Sequence, residues 1–135
     1  HIDIKKVASP EAIFLITTAL QGALERGTGR YSRNLGFHLP AAGKTGTTQN
    51  VSDGWFIAGT PDLVCGVWTG AEDRTVRGSG SGATMALPIW GLFMRKVYDD
   101  ESIKINRGGF DAPSNSTLEL DCGDYKEVEN EDYEN

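Results

Sequence analysis

Ala41-Ala42-Gly43-Lys44-Thr45-Gly46-Thr47-Thr48, followed after a short polar connection by Asp53-Gly54-Trp55-Phe56-Ile57-Ala58-Gly59-Thr60, decides how this chain reads. Residues 42–48 and 54–60 have the composition of two strands, and the loop 49–53 between them is short enough for an antiparallel connection. Leu63, Val64, Cys65, Val67 and Trp68 form a third β-rich run over 63–70. Thr60-Pro61-Asp62 separates the last two runs as a tight turn, with proline pre-set at the second turn position and no amide to leave unpaired. Three consecutive antiparallel strands, a meander, are predicted.

Working outward, Ser9-Pro10-Glu11 supplies a helix N-cap, a proline at the first helical position and an acid in the first turn. Ile13, Ile16, Leu20, Ala23 and Leu24, widened by Phe14 and Leu15, then recur at helical spacing. The helix should stop at Glu25 or Arg26, where Gly27-Thr28-Gly29 offers a left-handed cap. Residues 27–39 connect it to the first strand, with a short helical turn expected over 30–35. Beyond the meander, Gly78-Ser79-Gly80-Ser81-Gly82 reads as a loop. A final helix over 83–98 presents Leu87, Trp90, Met94 and Val97 or Tyr98, with Pro88 in or near its first turn or kinking it. Trp55, Phe56, Trp68, Trp90 and Phe93 read most simply as core. The fold class is α+β. Two helices can cover one face of such a sheet, so the other should be apolar and bare, packing against structure beyond this segment.

A chain of 135 residues with 39% hydrophobic residues and 17 glycines suits one loop-rich globular domain. It contains no apolar run of the roughly 18–20 residues that span a membrane, and His1-Ile2-Asp3-Ile4-Lys5-Lys6 is no signal peptide. It therefore reads as a piece cut from something longer, whose targeting information would lie upstream. Residues 111–135 hold nine acidic side chains and one basic, so this tail carries −8 and the body +2 of the net −6. Residues 1–110 are expected to be the structured part and 111–135 an acidic, disordered tail. Without a basic stripe, nucleic-acid binding is not expected. Cys65 and Cys122 could pair in an oxidising compartment, although a buried thiol and a loop thiol is the plainer reading. His1 and His38 lack a second ligand at useful spacing, and no metal or cofactor is expected.

Lys44, next to a hydroxyl residue, a glycine and two more threonines at the start of an antiparallel sheet, is a compact anion-binding device. Thr45 and Thr47 lie two apart on the strand, so their hydroxyls share a face. Gly46 between them lets a peptide approach the backbone, and Thr48 extends the hydroxyl series. Two lookalikes fail. A phosphate-binding loop needs glycine five positions before Gly43, where His38 stands. Ser32-Arg33-Asn34 satisfies S-x-N, but only ten residues before Lys44, and is read as a chance match.

Six blocks occur in order: Arg26-Gly27-Thr28-Gly29-Arg30, Gly43-Lys44-Thr45-Gly46-Thr47-Thr48, Asp53-Gly54-Trp55-Phe56, Gly59-Thr60-Pro61-Asp62-Leu63-Val64, Gly66-Val67-Trp68-Thr69-Gly70 and Ala86-Leu87-Pro88-Ile89-Trp90. Over residues 8–98 the chain resembles the C-terminal part of the transpeptidase domain of class A (bifunctional) penicillin-binding proteins. Such enzymes carry S-x-x-K, S-x-N and K-T-G signatures. Here Lys44-Thr45-Gly46 matches the third, and no serine is followed three residues later by lysine. The resemblance implies part of a serine transpeptidase/β-lactamase-like fold. The parent would be a D,D-transpeptidase that cross-links peptidoglycan through a serine acyl-enzyme, with a linked glycosyltransferase. It would be membrane-anchored and work at the periplasmic face of the inner membrane.

The implied partners are the D-Ala-D-Ala stem peptide, β-lactams that mimic it, and the remainder of the transpeptidase domain. Lys44 and Thr47 would be catalytic, and Thr45, Gly46, Thr47 and Thr48 would bind substrate. Lys44 would supply charge to the substrate carboxylate and contact the S-x-N serine. The Thr47 amide would be half of the oxyanion hole, and its backbone would pair with the peptide. Lacking the nucleophile, the segment alone should be inactive and prone to self-association. A piece of a D,D-carboxypeptidase or serine β-lactamase, or an interaction module working through the acidic tail, are the competing readings.

Overall fold

A computed structural model describes residues 6–73, 78 and 80–114. His1, Ser79, Cys122 and the tail from 115 onward, to which several expectations attach, lie outside the described residues.

Helix α1 runs Pro10–Glu25 and begins as the sequence predicts, with the Ser9 hydroxyl accepting the Ala12 amide at 3.2 Å. Hydrogen bonds from the backbone and from Ser9 hold the exposed Glu11 carboxyl below its ordinary pKa. The helix stops where expected, by a different device. Gly27 and Gly29 donate back to Gly22 O and Ala23 O without a left-handed residue. Space is tight there, since a Cβ on Gly27 would lie 3.0 Å from Ala23 O. The one left-handed glycine among the described residues is Gly36, at φ 87°, just after α2 (Tyr31–Asn34).

Strands β1 (Ala42–Thr47), β2 (Asp53–Gly59) and β3 (Val64–Gly70) form an antiparallel sheet in the order β1-β2-β3, each within a residue of the range predicted. A 3-10 turn, Gln49–Val51, joins the first two, and Val51 in it has φ 57°. Gly78 donates its amide to Val51 O at 2.8 Å. The Thr60 turn closes with its amide on Leu63 O at 3.0 Å and its hydroxyl accepting Leu63 N–H at 3.2 Å. That hydroxyl also pairs with Tyr98 OH.

Helix α3, Gly82–Asp99, packs on the sheet. Thr84 Oγ1 accepts the Ser81 amide at 2.8 Å and so caps its start. Pro88 falls in the second turn, and the helix continues past it. The core comprises Leu24, Phe37, Phe56, Ala58, Leu87, Trp90, Met94 and Tyr98, among others. Trp90 is its centre: Phe56 and Phe37 meet it edge-on at 5.1 and 5.2 Å, and its indole N–H reaches Ala58 O at 3.0 Å.

Two packing expectations are corrected. Of the α1 stripe only Leu24 is fully buried, while Ile13 and Ile16 are 55% and 63% exposed; beside Ile13 lies an open cleft walled by Phe110 and Pro113 rather than by a helix or strand. Of the aromatic set, Phe56 and Trp90 are core, but Trp55, Trp68 and Phe93 are nearly half exposed. The register explains the two sheet residues. Trp55 faces Trp68 across β2 and β3, on the side of the sheet opposite to Phe56 and α3. This outer face is otherwise bordered by α1, which lies against β1. A cleft of about 290 Å³ between them is lined by Thr17, Leu20, Lys44, Ile57, Val64 and Phe110.

Candidate functional site: the free edge of β1

β1 has a partner on one side only, which leaves half of its backbone groups unpaired by the sheet. Thr48 donates its amide to Asp53 O at 3.1 Å, so Thr48 points toward β2. In an antiparallel ladder the direction alternates, so Gly43, Thr45 and Thr47 turn their N–H and C=O groups to the free edge. The register, with Thr45 opposite Phe56 and Thr47 opposite Gly54, places both threonine side chains on the α3 face. Lys44 pairs with Ile57 and leaves the strand on the outer face.

The expected trio is therefore split across the strand. It is reunited at the edge, because Lys44 Nζ turns back to donate to Thr45 O at 2.9 Å. The ammonium is exposed and keeps two further donors. Thr47 Oγ1 accepts the amide of Gly82, the first residue of α3, at 3.1 Å. An amide can only donate, so the Thr47 hydroxyl proton is not used in that bond. Thr45 Oγ1 lies 3.0 Å from Thr28 Oγ1, in the loop after α1. Gly46 is tolerant by comparison, since an added Cβ would come no nearer than 3.3 Å, to Trp55 Cβ. Thr48 belongs to the β1–β2 connection: its hydroxyl accepts the Asp53 amide at 2.9 Å and lies 3.0 Å from Ser52 Oγ.

Three neighbours of this edge escaped the sequence reading. Gly43 is the glycine that close strand packing demands, since a Cβ there would fall 2.1 Å from Ala58 Cβ. Gly82 is equally confined, with an added Cβ 2.2 Å from Trp55 O and 2.4 Å from Gly46 O. Thr28 stands inside the Arg26–Arg30 block, and nothing in its spacing points to β1. By contrast Ser32, the S-x-N lookalike, is buried and gives its hydroxyl to Gly29 O at 2.8 Å. His38 is exposed, and burial pushes the Cys65 thiol pKa upward. Among the described residues no cluster of potential ligands could hold a metal ion, and no helix is long and apolar enough to cross a membrane.

No protein-family model matches the chain. It is 39% identical over 100 residues to penicillin-binding protein 1A of Rickettsia typhi, and 37% identical over 98 residues to that of Pseudomonas aeruginosa. These matches cover 73% and 72% of this chain but 12% of each relative's length. Penicillin-binding protein 1A from Haemophilus influenzae, solved at 2.6 Å, superimposes with a TM-score of 0.64 at 30% identity. That alignment spans 70% of this chain and 16% of the solved one. The chain is thus related to penicillin-binding protein 1A over a short part of that protein's length.

Proposed function

We propose that this chain is part of a peptidoglycan D,D-transpeptidase domain and carries its K-T-G strand. The observation that supports this most is the β1 edge, in a chain related to penicillin-binding protein 1A. There an exposed ammonium, an unspent Thr47 hydroxyl proton and outward-facing amides lie along one unpaired strand. Such an edge suits an extended peptide ending in a carboxylate: the backbone pairs with it, and the lysine and threonines hold its charge.

In this reading a serine elsewhere in the longer protein attacks the penultimate D-Ala carbonyl. The C–N bond breaks, the terminal D-Ala leaves as an amine carrying the serine proton, and an ester links peptide to enzyme. An amine of a second stem peptide then displaces the serine, which regains a proton. The Thr47 amide stabilises the oxyanion of each tetrahedral intermediate, and Lys44 and Thr45 hold the carboxylate. Residues 1–110 form the domain part and 111–135 an acidic tail. The longer protein also carries a glycosyltransferase and a membrane anchor and acts in the periplasm. β-Lactams acylate the same serine.

Labelling with a fluorescent penicillin tests this. The full-length protein should form a covalent adduct, Lys44→Ala should impair it, and the isolated 135-residue chain should form none. An adduct on the isolated chain, or normal acylation of the Lys44→Ala protein, would overturn the assignment.

A further inference from the structure

Two threonine hydroxyls of β1 are each supported from behind, by Gly82 N–H for Thr47 and by Thr28 Oγ1 for Thr45. The first support leaves Thr47 its proton. In the second, two hydroxyls share two protons, one is used in the 3.0 Å contact, and one remains whichever oxygen donates. Thr28 and Thr47 are exposed and Thr45 is half-buried, so the remaining proton is accessible to a ligand that approaches the open edge. With Thr28 donating, the Thr45 oxygen is polarised and its own proton becomes a stronger donor, as in any chain of hydrogen bonds.

From this we infer that Thr28 is a positioning residue of the β1 edge. It sets the Thr45 hydroxyl as a donor to the carboxylate of a bound peptide or β-lactam. The inference rests on the transpeptidase reading and extends it to a residue seventeen positions upstream, on another element. The local structure explains why this threonine is held in reach. The chain leaves α1 through two glycine amides bonded to Gly22 O and Ala23 O, and a Cβ on Gly29 would lie 3.1 Å from Ala23 O. The loop is pressed against the helix end, so Thr28 is carried at a fixed place beside β1.

The test compares Thr28→Val and Thr28→Ser in the full-length protein. Acylation by benzylpenicillin is followed as a function of concentration, alongside the methyl ester of the same penicillin. Loss of one such donor contact should weaken the saturation constant for the free acid by about fivefold. The limiting acylation rate should change little, Thr28→Ser should behave like the parent, and the ester should not distinguish the variants. A thermal melt of each variant separates misfolding from loss of the contact. Equal defects in Val and Ser variants, a defect that persists with the ester, or no defect at all would overturn the role of Thr28 alone. If the unsubstituted protein is not acylated, the transpeptidase reading falls and this inference with it.

Discussion

Along β2, Phe56 and Ala58 are closed off beneath α3, while the alternating residues Trp55 and Ile57 stay 44% and 49% exposed on the other face. Both sets are equally apolar, and they belong to the same seven residues. One strand therefore contains a finished core and an unfinished one, and composition alone does not tell them apart. The inner face is complete because α3 supplies Leu87, Trp90, Met94 and Tyr98 at helical spacing. On the outer face Trp55 lies 6.4 Å from Trp68, whose indole N–H is tied to Asp53 at 3.0 Å. Here α1 borders only the β1 side.

The contrast predicts unequal costs for similar substitutions. Trp90→Ala should remove about 3–5 kcal/mol of stability, read as a shift in the denaturant midpoint. A loss below about 1 kcal/mol would mean that the inner face is not the core it looks. Gly82→Ala drives a methyl group against Trp55 O and Gly46 O and should cost about 1–3 kcal/mol. Because that residue supports Thr47, penicillin acylation of the full-length protein should fall with it. Unchanged acylation in a folded variant would separate the helix start from the site.

On the outer face, Trp55→Ser in the isolated chain should alter stability by no more than about 0.5 kcal/mol. The same change should reduce self-association, measured by light scattering. In the full-length protein its cost should be several times larger, since the rest of the domain would cover that face. Equal effects in both contexts would break the comparison. The smallest effect concerns Glu11, whose folded pKa is depressed. Its contribution is present above the unfolded carboxylate pKa and is lost as pH falls through the folded value. The difference in melting temperature between the parent and Glu11→Gln should therefore vanish in acid.

What was legible in the sequence follows the same division. Local chemistry read well: Ser9-Pro10 marks the first residue of α1, Thr60-Pro61-Asp62 marks the β2–β3 turn, and the strand limits are off by one residue at most. Each depends on neighbours along the chain. Amphipathicity placed Ile13 and Ile16 on one apolar stripe, and Trp55 and Trp68 read simply as core, but neither signal could say what covers them, because that depends on elements distant in sequence or outside the chain. The site divided likewise. Alternation placed Thr45 and Thr47 together, whereas the return of Lys44 to Thr45 O and the contact from Thr28 are tertiary facts with no periodic signal. The glycine cap at the end of α1 was right in place and wrong in mechanism, because close packing and left-handed geometry select the same residue.

Val51, in the turn between β1 and β2, takes a backbone conformation that β-branched residues disfavour, at a cost of about 1–3 kcal/mol. For protein engineering this marks a reserve. Asparagine or glycine at that position would relax the connection without altering any hydrogen bond of the β1 edge. The gain would be a hardier scaffold carrying the same strand.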